Sequence, residues 1–322
     1  MPRVLAIDLG GTRMRAGAFD GNLLAQEVLP TEVEKGPEDV IKRLISASHK
    51  VLKEVGWDKI DGIGMAVPGP IDRKAKTINS PPNMPGWDNI PIGSIFEEEF
   101  SAPSFIDNDA NAAALGEAIY GGGKGASVVC YFTVSTGIGG GCVIKGHIFH
   151  GAGDNAAEFG HQKLDPFGPP CGCGRRGCLE ALASGTAIAR RAKELLLHNP
   201  QSLLLQLVRG DIDKVTAKLV AQAASLGDAL SLRVFQEAGF WLGLGIANII
   251  NLFNPKVVVL GGGVINAGEL ILKPARETAL QKAIPQLASI VEIIPAKLGE
   301  YPGLYGAGEV ALQGLRGELD TI

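Results

Sequence analysis

Three cysteines fall within eight residues, Cys171-Gly172-Cys173-Gly174-Arg175-Arg176-Gly177-Cys178, and His161 stands ten residues before the first of them. Three thiolates and one imidazole complete a tetrahedral Zn2+ shell with no open position, the donor set of a structural metal rather than a hydrolytic one. The glycine spacers let so short a loop wrap an ion. The alternative is three reduced, unliganded thiols. Cys130 and Cys142 sit in strand-like segments and read as buried core residues. Glu158-Phe159-Gly160-His161 opens this loop and Leu179-Glu180 closes it. One metal loop therefore ties down two carboxylates, which suit hydrogen bonds to a polyhydroxylated ligand or are plain surface charges.

A second group of chemistry-bearing residues is Asp107-Asn108-Asp109-Ala110-Asn111, at the end of a strand-like run and the start of an alanine-rich helix. Asp109 is either the cap of that helix or a general base fixed at a strand-to-helix corner. Asn108 beside it offers both a donor and an acceptor. Three glycine runs complete the set: Gly10-Gly11-Thr12 after Asp8, Thr136-Gly137-Ile138-Gly139-Gly140-Gly141, and Gly261-Gly262-Gly263. Consecutive glycines let backbone N–H groups converge on an anion with no Cβ in the way, which is how phosphate is cradled. Taken singly, each is also an ordinary tight turn. Asp8 could hold Mg2+ directly or through water. The GxGxxG and GxxxxGK[ST] fingerprints are absent, so neither a Rossmann nor a P-loop site is indicated.

The elements that must position these groups alternate in type. Strand character runs over 4–7, 14–18, 23–29, 60–67, 105–106, 127–134, 142–144, 257–260 and 291–294. Helical spacing runs over 40–55, 110–120, 179–197, about 216–251, 269–283 and from 306 onward. Residues 71–92 form a long loop, and such loops are usually functional. The alternation gives an α/β class. Two glycine-cornered hairpins, at 8–12 and 136–141, make a weak internal repeat. Glycine numbers 44 of 322 residues, roughly twice the average usage of about 7%. With 46% hydrophobic and 20% charged residues the chain is nonetheless globular. A net charge of −4 gives no footprint for nucleic acid. The most apolar stretch, near 239–253, contains Asn248 and Asn251 and is too short and polar for a membrane span of about 20 residues. The N-terminal residues lack signal architecture, so a cytoplasmic protein is expected. The apolar segment 240–250 reads as a core helix in preference to an interface.

These segments together resemble the ROK family (repressors, uncharacterised reading frames and sugar kinases) of the actin-like, Hsp70-like and hexokinase-like ATPase superfamily. AIDLGGTRMRAG resembles its first phosphate motif and TGIGGG its second. AVPGPID and DNDANAAALGE resemble the sugar-side segments, LGGGV the adenosine motif, and EFGHQKLDPFGPPCGCGRRGCLE the family signature with its zinc loop. The resemblance implies two actin-like (ribonuclease H-like) α/β domains with an intervening cleft. The smaller would hold 1–118 and a C-terminal helix 306–322, the larger 119–305 with the zinc loop 161–178. It implies an ATP-dependent hexose kinase acting on the 6-hydroxyl, with glucose the expected sugar. N-acetylglucosamine or N-acetylmannosamine is the alternative. A sugar-responsive repressor is disfavoured, because such proteins carry a helix-turn-helix region before the first phosphate motif and Asp8 stands close to the start. By the same resemblance Asp109 is the catalytic base. Gly69, Asn108, Glu158, His161 and Glu180 line the sugar. Asp8, Gly10, Gly11, Thr12, Thr136, Gly137, Gly139 and Gly261–Gly263 serve nucleotide and Mg2+. His161, Cys171, Cys173 and Cys178 hold structural Zn2+. A homodimer is expected, with sugar and ATP as its ligands and neither nucleic acid nor membrane as a partner. Ser135 departs from the glycine common at the start of the second phosphate motif.

Overall fold

The computed structural model describes residues 1–319, in two units. The first comprises Met1–Ser127, Gly141–Ala156 and the chain from Ala296 onward; the second comprises Val128–Gly140 and Ala157–Pro295. The division expected at 118 and 306 therefore lies elsewhere, and residues 141–156 return to the first unit.

In chain order the elements begin with β1 (Val4–Leu9), β2 (Arg13–Phe19), β3 (Leu23–Pro30), α1 (Gly36–Glu54), β4 (Gly62–Val67), β5 (Ile71–Asp72), β6 (Thr77–Ile78), α2 (Ile92–Phe100), β7 (Ser104–Asn108) and α3 (Asp109–Ile119). There follow β8 (Val128–Val134), β9 (Ile138–Ile144), β10 (His147–Ile148), α4 (Leu179–Ala183), α5 (Gly185–Leu196), α6 (Leu203–Leu207), α7 (Ala217–Ser225) and α8 (Ala229–Phe253). The chain closes with β11 (Val257–Gly261), α9 (Glu269–Lys282), α10 (Pro285–Ala288), β12 (Glu292–Pro295) and α11 (Pro302–Arg316).

The first sheet has the order β3-β2-β1-β4-β7, with β1, β4 and β7 parallel and β2 antiparallel to both its neighbours. Every residue of β1 is buried, as a central strand covered on both faces requires. Leu5, Ile7 and Leu9 pack with Val40, Leu44 and Val51 of α1 and Phe96 of α2. The alternate residues Val4 and Ala6 pack with Leu304, Ala307 and Ala311 of α11 and Ala112 of α3. Helices α3 and α11 meet through glycine. A Cβ on Gly116 would stand 2.9 Å from the Gly306 nitrogen, and one on Gly306 would fall on the Ala112 backbone. Part of the glycine surplus thus serves close packing and not the phosphate corners.

The second sheet repeats the plan with the order β10-β9-β8-β11-β12, its strands β8, β11 and β12 parallel. The weak repeat read from two hairpins is therefore a repeat of whole sheets. Gly139–Gly141, expected in a turn, lie inside β9. A Cβ on Gly140 would meet the Phe159 ring and the Ala157 carbonyl, and one on Gly141 would meet Ala114, so these two glycines answer to neighbours and not to a bend. The helix expected over 179–197 breaks at Ser184, whose Oγ accepts from the Ala187 nitrogen at 3.2 Å and caps α5. The stretch 216–251 breaks at Gly227, at φ +88°, and restarts at Asp228, the cap of α8. The long loop 71–92 contains the β5–β6 hairpin, and α2 and α6 were not anticipated. The final helix starts at Pro302, before the expected 306, and ends at Arg316; of the segment expected to be helical, 320–322 lie outside the described residues.

Candidate active site

In the first unit the strand register decides what meets what. Asp8 of β1 aligns with Ala66 of β4, and Ala66 aligns with Asp107 of β7. Gly10–Thr12, the loop of Gly69 and the Asn108–Asp109 corner therefore leave one sheet at the carboxyl ends of its parallel strands, where ligands of open α/β sheets bind. Asp8 is buried, and Arg15, directly opposite on β2, donates from Nη1 to its Oδ2 at 2.8 Å. Burial pushes the Asp8 carboxyl above its ordinary value, and the Arg15 guanidinium acts against that shift. The glycine corner is held by Thr31, whose hydroxyl donates to the Gly10 carbonyl at 2.6 Å. Gly11 and Thr12 are exposed, and a Cβ on Gly11 would make only ordinary contacts with Asn83, at 3.7 Å.

At the β7–α3 corner the cap is Asn108, not Asp109. The Asn108 Oδ1 accepts from the Ala110 nitrogen at 2.9 Å and the Asn111 nitrogen at 3.4 Å. Asp109 is thus the first helical residue, and the capping alternative falls away. The Asn108 Nδ2 lies over Gly69, where a Cβ would stand 3.0 Å from it. Asp107, unassigned from sequence, is buried at the centre of this corner. Its Oδ2 takes His150 Nε2 at 2.7 Å with Arg73 Nε at 3.6 Å, and its Oδ1 takes Asn111 Nδ2 at 3.1 Å. Arg73 Nη1 also pairs with Asp154 at 3.0 Å.

In the second unit the ligand atoms of His161, Cys171, Cys173 and Cys178 all lie within 4.8 Å of one another. His161 Nδ1 faces Cys171 Sγ at 3.7 Å, and its Nε2 faces Glu158 Oε2 at 3.9 Å. One ring nitrogen thus turns to the thiols and the other to a carboxylate. Burial pushes the Cys171 thiol up, while the backbone donor of Arg175 holds Cys173 down. Lys163 places its ammonium 3.0 Å from Cys178 Sγ. Glu180 faces inward: its Oε2 accepts from the Ile138 nitrogen at 3.0 Å and its Oε1 lies 3.4 Å from Cys171 Sγ. It therefore joins the cysteine loop to the second glycine corner. Thr136 of that corner is tied to α5 by the Thr186 hydroxyl, which donates to its carbonyl at 2.9 Å. Ser135 lies outside the left-handed region, so its Cβ fits the backbone, and its carbonyl accepts from the Gly185 nitrogen at 2.7 Å. Gly262, at φ +89°, packs on the Val134 backbone, and a Cβ on Gly263 would stand 3.9 Å from the Ser135 hydroxyl oxygen.

The first unit thus gathers Asp8, Gly10, Gly11, Thr12, Gly69, Asn108 and Asp109. The second gathers Thr136, Gly137, Gly139, Glu158, His161, the three cysteines, Glu180 and Gly261–Gly263. Sequence reasoning missed Arg15, Arg73, Asp107, His150 and Lys163. Only Arg15 had a usable signal, since a turn over residues 10–12 sets it opposite Asp8.

The family model of the ROK family matches residues 4–313. A glucokinase from Thermotoga maritima is 35% identical over 317 residues, covering 98% of this chain and 99% of the relative. Among solved structures, the ROK hexokinase from Thermus thermophilus has a TM-score of 0.82 and 37% identity, covering 98% of this chain and 99% of that one. A ROK family glucokinase from Streptomyces griseus, in complex with glucose and AMPPNP, has a TM-score of 0.82 and 34% identity, covering 97% of this chain and 100% of that one. The mixed α/β architecture is that of the actin-like ATPase fold. The glycine corners at parallel strand ends, the Asn108–Asp109 corner and the Cys3His loop all fall inside the matched span, and the chain belongs to the ROK family.

Proposed function

We propose that this protein is an ATP-dependent glucokinase that phosphorylates the 6-hydroxyl of glucose. The observation that carries the reading is the register of β1, β4 and β7, which brings a phosphate corner, the Gly69 loop and Asp109 to one end of one sheet. End-to-end likeness to glucokinases supports the choice of sugar. In this reading Asp109 accepts the proton of the 6-hydroxyl as that oxygen bonds to the γ-phosphorus. The bond from that phosphorus to the bridging oxygen breaks, and ADP leaves. Asn108, its Oδ1 committed to capping, turns its amide N–H toward the sugar beside Gly69. Glu158, His161 and Glu180 bind sugar hydroxyls. Backbone N–H groups of Gly10–Thr12 and Thr136–Gly139 hold phosphates, and Gly261–Gly263 approach the adenosine. Phosphoryl transfer needs chiefly such positioning and charge stabilisation.

Two metals fit the residues present. Asp8 is a buried carboxylate at a glycine corner with one oxygen on Arg15, which suits Mg2+ held through its waters; when bound, that ion neutralises phosphate charge. The Cys3His set suits Zn2+ in a closed shell, whose role is to fix the loop carrying Glu158, His161 and Glu180. The proposed setting is the cytoplasm, supplying glucose 6-phosphate to glycolysis. Among the described residues no helix is long and apolar enough to cross a membrane. We also propose a homodimer. A groove of about 680 Å3 along α5 and α8 carries Phe240, Trp241, Arg191 and Glu237; Phe240 is exposed, while Leu242, Ile246, Ile249 and Ile250 of the same segment are core, as expected.

A coupled ATP assay across glucose, N-acetylglucosamine, N-acetylmannosamine, mannose and fructose tests the function. Glucose is expected to give the highest kcat/KM. Preference for an N-acetylated sugar would transfer the assignment to that alternative, and turnover of none would remove the kinase reading.

A further inference from the structure

We infer that Asp107 and His150 are positioning residues that aim Asp109, with Arg73 tying two neighbouring loops to the same point. The inference rests on the reading of Asp109 as the base. Asp107 is 1% exposed, and it receives donors on both oxygens. Two of these bracket Asp109 in sequence: the Asn108 nitrogen, 2.8 Å from Oδ1, and Asn111 Nδ2, 3.1 Å from the same oxygen. From afar come the His150 ring nitrogen, from the segment after β10, and the Arg73 guanidinium of the β5–β6 hairpin, which forms an ion pair with Oδ2 at 3.6 Å. Asn111 is itself buried, and its Oδ1 has no hydrogen-bond partner among the described residues. Its amide orientation is therefore set by Asp107.

Burying a carboxylate among cationic and neutral donors is an inefficient way to gain stability, because desolvation offsets most of the attraction and an apolar side chain would pack more cheaply. What such a cluster does supply is a fixed geometry. Asp107 is held from Oδ2 by His150, and it in turn holds the first turn of α3 from Oδ1. His150 is 7% exposed, and the Ala156 nitrogen donates to the His150 carbonyl at 3.0 Å, closing residues 150–156 on themselves. Arg73 reaches Asp107 with one nitrogen and Asp154 of that same loop with another. The hairpin that follows Gly69, the corner that carries Asn108 and Asp109, and the loop that leads toward Glu158 thus converge on one buried carboxylate. Asp107 and His150 make no proposed contact with sugar or nucleotide, so their effect must pass through Asp109.

Four variants of the full chain, measured with glucose and ATP beside the parent, test this. His150→Phe keeps the ring volume and removes the donor; His150→Gln keeps a donor. Asp107→Asn breaks the centre, and Asp109→Asn removes the base. Displacing a reacting group by about 1 Å can cost on the order of 100-fold in rate. His150→Phe and Asp107→Asn should therefore lower kcat by ~10- to 100-fold while KM for ATP stays within about threefold. His150→Gln should recover most of the loss. Glucose affinity, titrated calorimetrically, corrects kcat for folded protein in every case. If Asp109→Asn is inactive while His150→Phe and Asp107→Asn keep kcat within about twofold of the parent, the positioning inference fails alone. If His150→Gln is as impaired as His150→Phe, or if lost activity matches lost glucose-binding sites, the role is structural and the inference fails. If Asp109→Asn keeps turnover, the base assignment fails and the inference falls with it.

Discussion

Glu117 lies near the carboxyl end of α3, is 0% exposed, and is a carboxylate placed where the helix dipole is negative. Both facts are unfavourable, so its surroundings must compensate. They do so entirely with backbone donors. Its Oε1 accepts from the Lys297 nitrogen at 2.9 Å and the Leu298 nitrogen at 2.8 Å, and its Oε2 accepts from the Gly122 nitrogen at 2.8 Å. One side chain thus satisfies the turn after α3 and the segment before α11. Gly121 is required there because a Cβ would strike the Glu117 carboxyl group. The turn residues Gly121–Gly123 are wrapped around this carboxylate.

Glu117→Gln is the discriminating perturbation. With the amide oxygen in the Oε1 position, Lys297 and Leu298 keep their acceptor. The amide nitrogen then faces the Gly122 N–H, donor against donor. The loss is one charge-assisted hydrogen bond, worth about 1.5–3 kcal/mol, and a buried N–H is left unpaired. A destabilisation of about 2–4 kcal/mol follows, which for a unit of this size lowers Tm by ~5–15 °C. Glu117→Ala strands all three donors and opens a cavity, and it should not accumulate as folded protein. The measurement is urea unfolding of the parent and Glu117→Gln, followed by circular dichroism, with glucose binding as a check on the native state. A variant within about 0.5 kcal/mol of the parent would show that these hydrogen bonds contribute no net stability, and the reasoning would be wrong.

Metal analysis of protein purified without chelator should give about one zinc per chain. Cys173→Ser should lose it, whereas Lys163→Met should retain it but release it faster to a competing chelator, because the ammonium beside Cys178 Sγ offsets thiolate charge; unchanged release would dismiss that role for Lys163. Asp228 offers a pH test. Burial pushes its carboxyl up, but donors from Ser231, Ser202 and Leu203 outweigh that and hold it below its ordinary value. A lowered folded-state value contributes stability that is present above the unfolded value of about 3.9 and lost as pH falls through the folded one. Asp228→Asn should therefore flatten the acid limb of the stability curve below about pH 4, and an unchanged limb would refute the assignment.

What the sequence showed plainly was local. Strand runs ending in glycine, the Cys-Gly-Cys loop and the Asp-Asn-Asp corner each declare themselves within a dozen residues, because their chemistry depends on neighbours along the chain. Errors arose where local signals competed. Ser184 and Gly227-Asp228 are ordinary cap signals, yet each sits inside a stretch whose apolar period continues across it, and the period was read through the break. Helix α2 begins where the long loop 71–92 is expected to end, and its nine residues lie in a stretch to which the sequence reading assigns no element. The glycine run 139–141 suggests a turn, but it lies in β9, where Gly140 leaves room for Phe159 and Gly141 for Ala110 and Ala114 of α3.

The candidate site divides along the same line, and the division has a physical cause. Residues proposed to touch substrate sit at element ends, where backbone geometry and sequence are tightly linked. Residues that hold them in place act through tertiary contacts between segments far apart in the chain: His150 is 43 residues from Asp107, and Glu180 is 42 from Ile138. No periodicity or motif encodes such a pair. Glu180 makes the point most sharply. The family resemblance implies a sugar ligand at this position, yet one of its oxygens is committed to the Ile138 N–H and the other lies beside Cys171. A carboxylate so placed can meet a sugar only while it also braces the second glycine corner. The Cys3His loop would then govern phosphate geometry as well as sugar geometry, and loss of its metal should disturb KM for both substrates together.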